Sequence, residues 1–251
     1  MHTLDKPAAE GTDYRTSHLA KGASYDANLA GDAFDAYMDA WEQQHVPRIL
    51  QTQFPAGLGR YLDFACGTGR VTRLIVPMAA SSTAVDISAS MIEQARTKCP
   101  QTEFVLADLT RDDPDLGTFD LASSFRFFGN AQDELREAAL HAIGKRIRVG
   151  GHLFINSHRN PMAIYALLNR LTGGDAASKL DLPLSKLRSL LTRHGFEIVH
   201  LQPIGAWLLR AAWMARARAD SPESVRNERR FGAAWLAPIS PDLLVLARKL
   251  R

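Results

Sequence analysis

The sequence predicts an α/β chain, with seven strands in a mostly parallel sheet and helices on both faces. Three observations predict it. Short apolar runs of strand length alternate with segments of helical period from residue 60 onward. Glycine, proline and N-capping residues punctuate the boundaries between them. With 46% apolar and 23% charged residues, 251 residues suffice for one large core and an added cap. That composition excludes collagenous, disordered and disulfide-framework chains.

Each element can be justified in order. Residues 1 to about 24 are polar, lack a period and read as an arm or lid. From Asp32 to Gln51 the residues Phe34, Tyr37, Met38, Trp41 and Val46 recur at helical spacing, and Pro47 is expected to kink or divide the segment. Residues 1–55 are therefore expected to form an N-terminal arm and helical lid, and residues 56–251 the core. Arg60–Ala65 is the first strand, Cys66-Gly67-Thr68-Gly69 a glycine turn, and Arg70–Met78 a helix. Ser82–Ile87 is the second strand. Ser88 caps the next helix and Pro100 stops it. Glu103–Ala107 and Phe119–Ser124 are the third and fourth strands. A helix over Gln132–Arg148 and a turn at Gly150-Gly151 lead into the fifth strand, His152–Asn156. Helices follow over Pro161–Leu171 and Leu184–His194, the second closed by Gly195. Phe196–Leu201 and Asp242–Ala247 are the last strands. The stretch between them, about 202–241, is too long for a structureless loop and reads as a cap insertion, helical near Ile204–Ala215 and basic over Ser224–Phe231.

Composition also bounds the partners. A formal charge of +3 is too small for a nucleic-acid footprint. The first fifteen residues lack the apolar core of a signal peptide, and no apolar run is long enough for a transmembrane helix. Cys66 and Cys99 make no disulfide framework. A cytoplasmic protein is the expectation.

Ligands of parallel sheets bind beyond the carboxyl ends of the strands, so those ends carry the functional reading. Gly67 and Gly69 permit a tight turn and close backbone approach. Asp86, 17 residues after Gly69, is placed to accept from two ribose hydroxyls. Asp108 follows the third strand and can accept from an adenine amino group. Three successive strand ends thus match a nucleoside. Thr72 stands where a dinucleotide fingerprint has its third glycine, and Asp63 precedes the turn. A carboxylate there repels a pyrophosphate but favours the ammonium and sulfonium of S-adenosylmethionine.

With Asp63-Phe-Ala-Cys-Gly-Thr-Gly69, Asp86, Ala107-Asp108, Phe119–Ser124 and Val149-Gly-Gly151, residues 55–200 resemble the class I S-adenosylmethionine-dependent methyltransferases. The resemblance implies a Rossmann-like sheet with S-adenosyl-L-methionine as cofactor. It implies that Asp63, Ala65, Gly67 and Gly69 line the methionine portion, with Cys66 in the same turn. Asp86 holds the ribose and Ile87 lies against the adenine. Asp108 and Leu109 meet the adenine edge and face, Ser124 or Phe125 faces the sulfonium, and Tyr25 reaches in from the lid. Phe125, Arg126, Asn130 and Arg159 are candidates for binding the acceptor. His158 is a candidate general base, against the alternative of a solvated or positioning loop histidine.

The implied reaction is methyl transfer to a small molecule, with oxygen preferred, on a natural product, sugar or lipid. Two other readings stay open. One is a non-catalytic S-adenosylmethionine-binding protein. The other is an RNA methyltransferase, although Ser123-Ser-Phe-Arg126 replaces the Asn/Asp-Pro-Pro-Tyr motif expected for base amines. No metal is expected: no His-x-x-x-His or Cys-x-x-Cys pair occurs, and Asp112, Asp113 and Asp115 read as a turn. In the cap, Trp207, Leu208, Leu209, Trp213 and Met214 read as an apolar substrate pocket or as ordinary core. With Arg210, Arg216 and Arg218 they also permit weak contact with a membrane surface. Oligomeric state and acceptor identity are not specified.

Overall fold

The computed structural model describes residues 14–16, 22–158, 160–171, 180–207 and 218–251. Strand β1 (Leu58–Phe64) lies mid-sheet, parallel to β2 (Ala79–Asp86) on one side and β4 (Phe119–Ser124) on the other. β3 (Glu103–Leu106) continues parallel beyond β2, and β5 (Ile147–Ser157) beyond β4. β7 (Asp242–Lys249) runs antiparallel to β5, and β6 (Phe196–Ile204) antiparallel to β7. The seven-stranded order is β3-β2-β1-β4-β5-β7-β6. The chain winds outward from β1 in one direction and then from β4 in the other. This switch opens a crevice at the carboxyl ends of β1 and β4.

Alternation along the strands builds two cores. On β4, Leu121 packs with Tyr37, Met38 and Trp41 of helix α2 (Ala33–Gln53), whereas Ala122 faces the opposite core. That second core takes Leu140 of α5 (Asp133–Arg146) and Leu187 and Leu191 of α7 (Leu184–Arg193). Between α5 and α7 lies α6 (Ile164–Leu171). Near the edge, Ile92 and Ala95 of α4 (Ala89–Lys98) cover Ala84 and Phe104, with Cys66 and Cys99 in the same cluster. Both thiols are free and buried.

Several expectations change. α1 (Gly22–Gly31) begins inside the stretch read as an arm; its Gly22 lies so close to α4 that a Cβ would stand 2.2 Å from the Ser90 carbonyl oxygen. α2 runs unbroken through Pro47 because Val46, Ile49 and Leu50 are all buried, outweighing the one lost hydrogen bond. The helix after the glycine turn is shorter: α3 (Thr72–Ile75), then a 3-10 turn over Val76–Met78. Gly150-Gly151 is no turn before β5 but an irregularity within it, at the register shift between Phe119 and Leu121. In the insertion, β6 extends to Ile204, and the basic segment forms α8 (Pro222–Phe231), capped by Ser221 and followed by a 3-10 turn at Ala234–Ile239. Leu208, Leu209, Arg210, Trp213, Met214 and Arg216 lie outside the described residues. Trp207 packs on the α2 core, which favours ordinary core for that residue. Its indole N–H donates to buried Glu228 at 3.0 Å, which also accepts from the Tyr37 hydroxyl (2.7 Å) and the Gly205 amide (2.8 Å). No described helix is long and apolar enough to cross a membrane.

Candidate active site

A cleft partly open to solvent lies at the carboxyl ends of β1 to β4. The turn after β1 supplies its floor. Ala65 takes a left-handed φ of +56° there, and Gly67 follows at +54°. A Cβ at Gly67 would meet nothing within 4 Å, so its backbone is open to close approach by a ligand.

Three carboxylates edge the cleft. Asp63, at the end of β1, is 2% exposed and accepts from the Thr72 hydroxyl at 2.6 Å and the Ser123 hydroxyl at 2.7 Å. Burial pushes its carboxyl up to about 6, although the hydroxyls of Thr72, Ser123 and Tyr61 pull it down. Asp86, ending β2, accepts from the amides of Gly67 (2.8 Å) and Ser88 (2.9 Å), which aim it across the turn. Burial raises its pKa too, against those backbone donors. Asp108 follows β3. One oxygen accepts from Arg15 Nε at 3.0 Å, and the other accepts from the Thr110 amide (3.0 Å) and hydroxyl (2.5 Å).

Parts of the chain are similar to known proteins. The family model described as "Methyltransferase domain" matches residues 62–151, from β1 into β5. Over that stretch the chain is similar to S-adenosylmethionine-dependent methyltransferases. It is 35% identical to the malonyl-[acyl-carrier protein] O-methyltransferase of Salmonella typhimurium over 99 residues, 38% of this chain and 39% of that one. It thus spans about two fifths of the length of that relative. It is 24% identical to a ubiquinone biosynthesis O-methyltransferase of Xanthomonas campestris over 66% of this chain and 72% of the relative. The structure of magnesium protoporphyrin IX methyltransferase from Synechocystis PCC 6803 with bound S-adenosylhomocysteine shares the fold. Its TM-score is 0.61 at 14% identity, covering 94% of this chain and 97% of that one.

The cleft gathers most of the residues singled out from the sequence: Asp63, Ala65, Cys66 and Gly67; Asp86 and Ile87; Asp108 and Leu109; Phe125 and Arg126; and Tyr25. Others stand apart. Gly69 does not line the cleft. Its φ is +75°, and a Cβ there would meet Ala95 of α4 at 3.0 Å, so this glycine serves helix packing. Ser124 is fully buried outside the lining, its hydroxyl without a partner among the described residues. Neighbouring Phe125, packed edge-on against Phe154, takes the place at the cleft. His158 is likewise outside the lining. Its ring lies over Gly129, where a Cβ would come within 2.7 Å of it, and Nε2 is 3.3 Å from Asn130 Oδ1. That placement opposes a base role in this cleft. Asn130 holds the Arg126 carbonyl through Nδ2 at 2.8 Å rather than facing the cleft. Arg159 lies outside the described residues.

The cleft is also lined by residues that the sequence reading missed. The Tyr14 hydroxyl donates to the Arg126 carbonyl at 2.9 Å, and Arg15 reaches Thr110 at 2.7 Å as well as Asp108. Both come from a polar, non-periodic arm that carries no sequence signal for contact. Arg70 lies beside the glycine turn and is held by Asp39 and Glu42 of α2. Asp112 and Asp113 belong to the turn: Asp112 accepts from the Asp108 amide, and Asp113 pairs with Lys145 and Arg146. No described group of three or more His, Cys, Asp or Glu side chains is arranged to hold a metal.

Proposed function

We propose that this chain binds S-adenosylmethionine in the cleft and transfers its methyl group to a small-molecule acceptor, with oxygen the preferred acceptor atom. One observation carries the reading: Asp63 and Asp86 at the ends of two adjacent strands, and Asp108 just after a third, surround a glycine whose backbone is open to a ligand. The donor set fits the cofactor. Asp63 suits a cationic methionine end, Asp86 has lone pairs left for ribose hydroxyls, and Ile87 and Leu109 offer apolar faces for a purine. The malonyl and ubiquinone-biosynthesis relatives are named O-methyltransferases, which supports oxygen.

The bound cofactor would supply the activated methyl group. The chain contributes alignment and dryness. Thr72 and Ser123 fix the Asp63 carboxylate, which holds the cationic end in one orientation. Tyr14 and Arg15 bridge the β3 and β4 ends of the cleft and keep water from it. The acceptor enters at the β4 end, beside Phe125 and Arg126.

Calorimetry with S-adenosylmethionine, S-adenosylhomocysteine and NAD tests the cofactor. Binding of the first two without NAD is expected, with Asp86→Ala weakening both by about 10- to 100-fold through lost ribose hydrogen bonds. Binding of NAD alone would overturn the reading. Methyl turnover against an acceptor panel separates an enzyme from a non-catalytic binder.

A further inference from the structure

We infer that one edge of the Arg126 guanidinium is the receptor for a carboxylate on an acceptor with an apolar body. The inference rests on the cofactor reading above and adds the acceptor class.

Arg126 is an unusual residue to find where it stands. Its φ is +57°, a left-handed conformation unfavourable for a non-glycine residue. The backbone is held there from three sides. Its amide donates to Asn156 Oδ1 at 2.6 Å, and its carbonyl accepts from Tyr14 (2.9 Å) and Asn130 (2.8 Å). The residue is 8% exposed and lines the cleft. Nη1 is spent on Asp35 of α2. Nε and Nη2 are shielded from solvent and have no hydrogen-bond partner among the described residues.

These two nitrogens lie on the same side of the planar guanidinium, so their N–H bonds run parallel. Two parallel donors match the two oxygens of one carboxylate. A buried cationic edge without an acceptor is costly, and a ligand explains its retention. The neighbouring carboxylates do not pair with that edge. Glu42 and Asp39 are taken up by Arg70, and the wholly buried Asp242, near Glu42, Arg126 and Asp35, is held towards its neutral form by burial. Tyr25 stands near both arginines.

Position and surroundings point to the acceptor rather than the cofactor. Arg126 lies at the β4 end of the cleft, whereas Asp86 and Asp108 lie at the β2 and β3 ends. A cofactor carboxylate has Arg70 and Thr68 nearer the glycine turn. Around Arg126 the lining is aromatic, from Phe125, Phe127, Tyr14 and Tyr25, which suits an apolar body.

The test compares benzoate, 4-phenylbutyrate and octanoate with their primary amides by calorimetry on the full chain, with and without saturating S-adenosylhomocysteine. The wild-type protein should prefer at least one acid over its amide by about 10- to 100-fold. Arg126→Gln should bring each pair within about threefold while S-adenosylhomocysteine affinity also stays within about threefold. Arg126→Lys, charged but without the parallel donors, should lose most of the preference. Should the variants fail to fold, the wild-type comparison decides alone: equal binding of acid and amide in every pair overturns the inference. A tenfold or so fall in S-adenosylhomocysteine affinity in Arg126→Gln, with the acid preference intact, assigns the edge to the cofactor's own carboxylate and also overturns it. Failure of wild-type protein to bind S-adenosylhomocysteine refutes the cofactor reading instead, and the acid–amide comparison is then read on the protein alone.

Discussion

Asp63 shows how a single side chain is tuned by what surrounds it. Burial raises its carboxyl to about 6, and only hydroxyl donors oppose that rise. A cationic ligand would supply the opposite charge that the site lacks and draw the proton off. Because the charged form binds, affinity for S-adenosylmethionine should climb as pH rises towards 6 and level off above it. Asp63→Asn should flatten that profile and lower affinity at neutral pH by about tenfold or more. Calorimetry between pH 5 and 8 or so reads both, and a wild-type profile as flat as the variant's removes Asp63 from the cation's partners. Asp63, Asp86 and Asp108 were legible in the sequence because they end or follow strands, and strand ends face the ligand. Their partners were not: Ser123 is 60 positions from Asp63, and Arg15 is 93 positions from Asp108. His158 shows where strand position and side-chain direction part. Its strand placed it at the ligand edge, but side-chain direction turned it onto Gly129.

Elements follow local chemistry where that chemistry is strong. Ser88 caps α4 as its residue type predicts, accepting from the Met91 amide at 3.4 Å. α1 was hidden because Leu29 is its only described apolar residue in the core, so no period could reveal it. β5 begins at Ile147 rather than beyond the glycines because the sheet absorbs them at a register shift, a decision made by its neighbour β4. Gly69 ties the turn to α4, and its replacement tests that joint. Gly69→Ala combines a +75° φ with contacts of 3.0 and 3.1 Å to Ala95. It should cost about 2–4 kcal/mol in denaturant unfolding. A paired Ala95→Gly change should recover part of the loss by making room, and no recovery would show that backbone strain alone is responsible.

On the scale of the whole molecule, Glu228 fastens the segment between β6 and β7 to α2. It is 4% exposed and gathers donors from Tyr37 of α2 and from Gly205 and Trp207 just beyond β6. The stretch between the last two strands was legible as too long for a structureless loop, but Glu228 sits in a basic stretch and gave no hint of burial. Glu228→Ala would strand three buried donors and should destabilise the fold by about 3–5 kcal/mol. Hydrogen exchange should then quicken first at Gly205 and in α8. Loss of protection spread evenly over the sheet would mean that this segment is no separate unit.

The two buried cysteines give this chain a built-in clock. Burial pushes both thiols up, and nearby Asp63 acts in the same direction on each. A thiol reagent meets almost no thiolate while the molecule stays closed. Each sulfur becomes reactive only when its surroundings part, Cys66 when the glycine turn opens and Cys99 when α4 lifts from β3. The rates at which label enters the two positions are therefore two opening rates at different depths, measurable in native protein without introducing any probe.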